Sequence, residues 1–398
     1  MATLDVDRAR ALTPGCDRVL HLNHAGASLL PQPVLDAVVG HLQLESQIGG
    51  YEAAEAAAGQ LARTYAAAAE LIGAEPEDIA LVESNTTAWN AAVLSFPVAA
   101  GDRIVLTRAE YGANDLALLQ LRERTGCELV LVGDDAEGQV DLDALEQVLA
   151  EGPAAFVSLV HVPTGSGLVN PAAEAGRLCR AAGVPLVLDA SQSVGQLPVD
   201  VDAIGCDVLT ANGRKFLRGP RGTGFLYVRP SLLPRLRPLT VDLRSATWVP
   251  PDGYELQPGA RRFEQFESDV AGRIGLGVAI DHALGWGLDA IAARDAALAE
   301  GLRARLAEIP GVTVRDKGVR LGAITTATID GLGSAEAAAA LRAHGVNVGV
   351  TSLAQAQHDL PHRGLGELLR ASVHYVTTED ELDRYVALLS AVVRDADG

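Results

Sequence analysis

The sequence predicts an α/β protein: a large, mostly parallel sheet domain followed by a smaller C-terminal α/β domain. Three observations carry this expectation. Between residues 78 and 228, short apolar runs alternate with helical stretches, the rhythm of βαβ units whose sheet is covered on both faces. The run Val184 to Leu188 ends at Asp189, and Asp207 to Ala211 leads to Lys215, so both groups stand at the carboxyl ends of strands, where open α/β sheets gather ligand-contacting residues. From about Leu288 the order changes to helix, strand, strand, helix, strand, strand, helix, which fits helices packed on one face of a small sheet. The expected division is 20–285 for the large domain and 286–398 for the small one, with residues 1–19 as a lead that packs on the small domain.

Composition narrows the classes of function. With 398 residues and 48% hydrophobic content, the chain can bury a large core and a second lobe. A formal net charge of −19 argues against nucleic-acid binding, which needs a basic face, and no basic cluster is present for an anionic membrane. Residues 1–20 contain Asp5, Asp7 and Asp17 and no apolar run of signal-peptide length, and no later segment approaches a charge-free membrane span. A cytoplasmic protein acting on a small molecule is therefore expected. Cys16, Cys127, Cys179 and Cys206 lie scattered, a spacing that neither suggests a metal site nor demands disulfides.

Taken in order, Val19 to Leu22 reads as a brief strand running into Asn23-His24-Ala25-Gly26-Ala27-Ser28, where small residues permit close backbone approach to a ligand. His24 is a candidate substrate contact there, beside the ordinary alternative of a solvated loop histidine. A helix from about Val34 to Gln47 stops at Gly49-Gly50, and an Ala-rich helix opens at Tyr51. The strand Asp78 to Val82 leads to Ser84-Asn85-Thr86-Thr87, with a helix from Ala88 through Leu94. Free N–H groups and hydroxyls at such an entry suit a phosphate, which makes Asn85, Thr86 and Thr87 candidates; an ordinary Ser/Thr helix cap is the alternative. Strands near Arg103 to Leu106 and Glu128 to Val132 alternate with helices around Ala113 to Arg124 and Asp141 to Leu149. The run Phe156 to Val160 ends at His161-Val162-Pro163-Thr164-Gly165. Past Lys215 come the glycine-rich hairpin Gly219 to Gly224, the strand Phe225 to Val228, and a Pro-rich stretch from Pro230 to Pro258 that reads as loop. In the smaller domain, strands are expected near Val312 to Val314, Leu321 to Ile329, Val346 to Gly349 and Leu369 to Tyr375, with helices over Ala335 to Ala343 and Glu379 to Val393.

The chemistry rests on an unusual lysine count. The chain has two lysines, Lys215 and Lys317, and arginine supplies nearly all other positive charge. Arginine cannot stand in where an amine must lose its proton to form a Schiff base. A carboxylate at one strand end and a lysine at another are what pyridoxal 5'-phosphate (PLP) requires: an anion facing the pyridinium nitrogen and an amine for the aldehyde.

The pattern Asp189-Ala190-x-Gln192-Ser193-Val194-Gly195, then Lys215, then Gly219-Pro220-Arg221-Gly222-Thr223-Gly224-Phe225-Leu226-Tyr227-Val228 resembles the class V aminotransferase family of fold type I PLP enzymes. That family includes cysteine desulfurases, isopenicillin N epimerase-like proteins and C–S lyases, and the likeness extends over nearly the whole chain. The resemblance implies a homodimer in which Lys215 carries the cofactor and later moves the substrate Cα proton. It implies that Asp189 keeps the pyridine nitrogen protonated, Gln192 contacts the ring hydroxyl, and His161 stacks on the ring and assists proton transfer. Asn212 and Arg214 stand where the family has serine and histidine near the phosphate. Arg370, in Arg370-Ala371-Ser372, resembles the arginine that clamps the substrate α-carboxylate. Thr164 replaces a family asparagine that bonds the cofactor hydroxyl or substrate. Ala88-Trp89 follows the phosphate-loop threonine where the family has Glu-Ala, and Glu267 replaces the threonine that reaches the partner's phosphate, leaving Ser268 or a backbone N–H for that contact.

The resemblance also bears on the reaction. Desulfurases carry a persulfide-forming cysteine on the loop before the carboxylate-binding arginine, and Val348 to His358 contains none. The run Gly49-Gly50-Tyr51-x-Ala53-Ala54-Glu55 resembles a segment of ergothioneine-pathway C–S lyases. A β-eliminating C–S lyase acting on an amino acid or S-conjugate is the first expectation, with an aminotransferase or epimerase as the alternative. A catalytically silent PLP-fold binding protein is the alternative of another class.

Overall fold

The computed structural model describes residues 4–396. Seven strands form the large sheet: β1 (Ile79–Val82), β2 (Arg103–Thr107), β3 (Glu128–Val132), β4 (Val157–Val160), β5 (Leu186–Asp189), β6 (Val208–Asn212) and β7 (Gly224–Val228). They lie in the order β1-β7-β6-β5-β4-β2-β3, and β7 alone runs antiparallel to its neighbours β1 and β6. The glycine-rich connection explains the exception: β6 and β7 follow each other after too few residues for a crossover helix, so the chain must turn back on itself. Both faces of the sheet are covered. Leu186 and Leu188 of β5 belong to one core cluster and Val187 to the cluster on the other face, the period-2 alternation of a doubly buried strand. Full burial of each such side chain contributes about 1.5–3 kcal/mol.

The smaller sheet is fully antiparallel, with β8 (Val312–Val314), β9 (Ile324–Ile329), β10 (Gly349–Ser352) and β11 (Glu367–Ser372) in the order β8-β9-β11-β10. The run expected as one strand over Val346 to Gly349 is divided between two partners. Val346–Asn347 pairs in parallel with Leu20–His21, and β10 joins the sheet. Leu20, Leu22 and Ala25 pack in a core cluster that holds Leu341, Leu369 and Leu389 together with Val162, Leu197 and Phe216. The helix Val6–Ala11 is fastened to the C-terminal helix by Arg10, whose guanidinium lies 2.9 Å from Glu381. The Pro-rich stretch read as loop contains a hairpin, Ala246–Val249 against Gly253–Leu256.

One helix, Val270–Trp286, leans against both Ala58–Ile72 and Gln32–Ile48. Two of its three buried glycines permit that approach. A Cβ on Gly277 would run into Thr64, and one on Gly275 into Val38 and Pro220. Gly277→Ala is expected to destabilise the protein by about 1–3 kcal/mol through overpacking, despite the better helix propensity of alanine. A lowered denaturant midpoint with an unchanged slope in equilibrium unfolding is the check.

Among the described residues, no single helix is long and apolar enough to cross a membrane.

Candidate active site

The site lies at the carboxyl ends of β4, β5 and β6, with contributions from the strand-helix turn after β1 and from the smaller sheet. Asp189, the last residue of β5, is 3% exposed. Its Oδ1 accepts the backbone N–H of Ser191 at 2.9 Å, and its Oδ2 accepts Asn85 Nδ2 at 3.1 Å and Asn114 Nδ2 at 2.9 Å. The three N–H donors hold Asp189 as an acceptor, with lone pairs left for the adjoining cavity. That cavity, of about 170 Å³, is bordered by Thr86, Tyr111, Thr164, Gln192, Arg214 and Lys215 among others.

Lys215 follows β6 on a tight turn. Gly213 N–H donates to Thr223 O at 2.9 Å, and Gly219 N–H to Gly213 O at 2.8 Å. Arg218 closes the turn at a left-handed φ of 60°, a conformation costly for a residue with a Cβ. Its buried guanidinium offsets the cost with bonds to Leu29 O, the Tyr375 hydroxyl and Thr13 Oγ1 at 3.1, 2.7 and 2.6 Å. Burial pushes the Lys215 amine down to about 7; Asp189 opposes that shift, and Arg214 and Arg370 reinforce it. Near neutral pH a large share of the amine is unprotonated and nucleophilic. Cofactor capture by the cofactor-free protein should accordingly accelerate as pH rises through about 7 and then level off, as stopped-flow absorbance would record. Acceleration that continues to the ordinary lysine range would contradict it.

The smaller sheet delivers Arg370 from the middle of β11, 8% exposed. Its guanidinium donates to Thr164 Oγ1 and to Asn23 Oδ1, the latter at 3.3 Å, while Nε has no hydrogen-bond partner among the described residues. Burial pushes its pKa down to about 10, still far above neutrality. Arg370 does not itself border the cavity but holds Thr164, which does, and a charged fork with an unmatched donor there suits a carboxylate. Arg370→Lys is expected to raise KM for amino-acid substrates about 10- to 100-fold, because a point charge does not reproduce the planar fork. Amines lacking a carboxylate should change less than about twofold by the same argument; equal losses in steady-state assays would assign the arginine to the fold.

The expected site residues are distributed unevenly around this cavity. His161 does not border this cavity. Val160 and Val162 do. His161 borders a separate cavity with Val169, Asn170 and Arg320, and burial and then Arg320 bring its pKa to about 4. The aromatic ring facing the Lys215 amine belongs to Tyr111, with Nζ 6.0 Å from the ring centroid. His24 is 1% exposed and does not border the cavity either; Nδ1 lies 2.9 Å from Ser28 Oγ, and the ring packs 4.8 Å from His21 and 5.3 Å from His374. Its neighbour Asn23 is the residue that reaches Arg370.

The phosphate candidates also divide. The helix begins at Asn85, three residues before the expected start, with Ser84 as its cap accepting Thr87 N–H at 3.1 Å. Thr86 borders the cavity, whereas Thr87 faces a neighbouring one, and Asn85 spends its side chain on Asp189. Asn212 is occupied as well: Oδ1 accepts Asn85 N–H at 2.9 Å and Nδ2 donates to Ser191 Oγ at 3.2 Å. Gln192 anchors through Nε2 to Ala25 O at 3.0 Å and leaves a buried Oε1 without a hydrogen-bond partner among the described residues.

These residues fit PLP: an amine, a carboxylate held by three N–H donors, the unmatched Gln192 oxygen, and, for an anion, a hydroxyl at a helix N-terminus that borders the same cavity as Arg214. With the seven-stranded sheet, they define a fold type I PLP-dependent enzyme. A family model described as Aminotransferase class-V matches residues 20–385. Over 396 residues the chain is 34% identical to a probable hercynylcysteine sulfoxide lyase of Mycobacterium tuberculosis (strain CDC 1551 / Oshkosh), a match covering 98% of this chain and 94% of that protein. It is 29% identical over 369 residues to a probable cysteine desulfurase of Methanothermobacter thermautotrophicus, covering 91% and 92% of the two. The apo structure of the cysteine desulfurase from Thermococcus onnurineus NA1 superposes with a TM-score of 0.90 at 25% identity, over 99% of each chain. The chain belongs to the class V aminotransferase family.

Proposed function

We propose that this enzyme is a C–S lyase that eliminates the sulfur substituent of a cysteine S-conjugate, the S-oxide included. The observation that carries the reading is a missing thiol. The segment from β10 to His358 packs at the substrate end of the cavity: Thr351 Oγ1 donates to Thr164 O at 3.0 Å, and Gly112 N–H donates to Gln355 O at 3.0 Å. That segment has no cysteine. Cys179 and Cys206 are buried with thiols pushed up to about 12, so neither supplies a thiolate to take sulfur from a substrate. The similarity to a relative named as a sulfoxide lyase supports the same reading.

When bound, PLP supplies a ring that spreads the negative charge left at the substrate Cα. Arg370 orients the carboxylate, the Lys215 amine takes the Cα proton, and Asp189 holds its charge toward the ring. The Cβ–S bond then breaks, with its electron pair leaving on sulfur. Addition of water yields thiol, pyruvate and ammonia from a thioether substrate. Incubation with a panel of S-substituted cysteines tests the proposal. Pyruvate and ammonia released without a keto-acid co-substrate support it; turnover that requires a keto acid makes the enzyme a transaminase.

A cytoplasmic homodimer is part of the proposal. Leu35, Val39, Leu42 and Ile48 on one helix, and Trp248 and Tyr254 on the hairpin, are large apolar side chains left exposed in the single chain, as a subunit interface requires. An active, cofactor-loaded monomer in sedimentation would contradict it.

A further inference from the structure

Behind Asp189 lies a second buried carboxylate that the proposed chemistry does not use. Glu110, three residues beyond β2, is 1% exposed. Its Oε1 accepts the backbone N–H of Tyr111 at 2.9 Å and Asn114 Nδ2 at 2.8 Å, and its Oε2 accepts the Ser158 hydroxyl. Asn114, also 1% exposed, donates from the same Nδ2 to Asp189 Oδ2 at 2.9 Å. An amide nitrogen carries two hydrogens, and here each goes to a different carboxylate.

That arrangement fixes the amide. Turning it over would place Asn114 Oδ1 between two carboxylates and exchange two charge-assisted hydrogen bonds for oxygen–oxygen repulsion. In the observed orientation, Asn114 Oδ1 has no hydrogen-bond partner among the described residues, so nothing else selects it. The protonation state of Glu110 does not alter the argument. Burial pushes its pKa up to about 7, and a protonated carboxyl still accepts through Oε1 while turning its hydroxyl to Ser158.

We propose that Glu110 is a positioning residue for Asp189: by holding one N–H of Asn114 it commits the other to Asp189, and so keeps that carboxylate an acceptor whose remaining lone pairs serve the cavity. The inference rests on the reading of Asp189 as the partner of the cofactor's ring nitrogen. It also accounts for two buried polar residues, Glu110 just before the helix Gly112–Thr125 and Asn114 in its first turn, neither of which borders the cavity.

The test compares dissociation constants of two ligands on full-length protein freed of cofactor: PLP and its 1-deaza analogue, in which carbon replaces the ring nitrogen. The parent protein is expected to prefer PLP, and Asp189→Ala to bind the two alike. Glu110→Leu should cut the preference about tenfold, the effect of one oriented hydrogen bond to a charged group. Glu110→Gln keeps an acceptor for Tyr111 N–H and Asn114 and should hold the preference within about twofold of the parent. If Glu110→Leu does not fold, Asn114→Ala carries the same expectation of about tenfold. A full preference retained in Glu110→Leu or, where that variant fails to fold, in Asn114→Ala overturns the inference, as does an equal loss in Glu110→Gln and Glu110→Leu. Where Asp189→Ala loses the preference and Glu110→Leu keeps it, the inference alone fails; where Asp189→Ala keeps it, the reading of the aspartate fails first and the inference with it.

Discussion

Replacing Lys215 by alanine is expected to reduce kcat for release of pyruvate from a cysteine S-conjugate by about 10⁴-fold or more, because one side chain both carries the cofactor and moves the Cα proton. The loss should not come from misfolding. Among the described residues the Lys215 side chain makes no hydrogen bond; the turn is held by Gly213, Gly219, the buried Arg218 and the Lys215 carbonyl, which accepts Arg218 N–H at 2.9 Å and is kept in alanine. Its burial depresses the amine to about 7, which means that folding desolvates a group the unfolded chain leaves charged and hydrated. Lys215→Ala should therefore be at least as stable as the parent near neutral pH in denaturant unfolding of the cofactor-free forms. A variant that has lost activity and stability together would place the lysine in the scaffold.

The second large effect is expected at Asp189. Asp189→Asn keeps nearly the same volume but replaces a charged acceptor by an amide, removing the anion that favours a protonated ring nitrogen. A decrease in kcat of about 10²–10³-fold is expected, the scale of losing one preorganised electrostatic contact to developing charge. The environment adds to the damage. Ser191 N–H, Asn85 and Asn114 all donate toward this side chain, so an asparagine amide must either face one of them with its own N–H or turn its carbonyl away from the cavity. Exchange of the substrate Cα hydrogen with deuterated solvent, followed by NMR, isolates the step; exchange at the parent rate would remove the aspartate from it.

The parts of the site legible in the sequence are those fixed by backbone topology. Asp189 and Lys215 follow apolar runs, and in an open parallel sheet the carboxyl ends of strands converge on one edge whatever the side chains are. Side-chain direction was harder to read. His161 stands one residue past β4, where the strand's period-2 pattern no longer fixes direction, and its neighbours Val160 and Val162 border the cavity while His161 borders another. Tyr111 occupies a strand-helix connection on the same edge as Asp189, a position that marks it as a candidate by the same topological rule. Asn114 and Glu110 carry no such mark: one lies inside a helix and the other just before it, and their meaning depends on Asp189 lying 75 residues beyond Asn114 in the chain. The pairing of Leu20–His21 with Val346–Asn347 has a similar origin, since the strand is too short to declare its partner and that partner lies far along the chain.

The most direct measurement uses the chain's two lysines. Reduction of the holoenzyme with borohydride fixes the cofactor to whichever amine holds it, and peptide mass mapping then reads Lys215 and Lys317 separately. Lys317 is ion-paired with Asp134 and Asp359 at 2.6 and 2.7 Å, and its amine is committed to them. The expected result is a phosphopyridoxyl group on the Lys215 peptide and an unmodified Lys317 peptide; an unmodified Lys215 peptide from yellow, active protein would contradict the site at its centre.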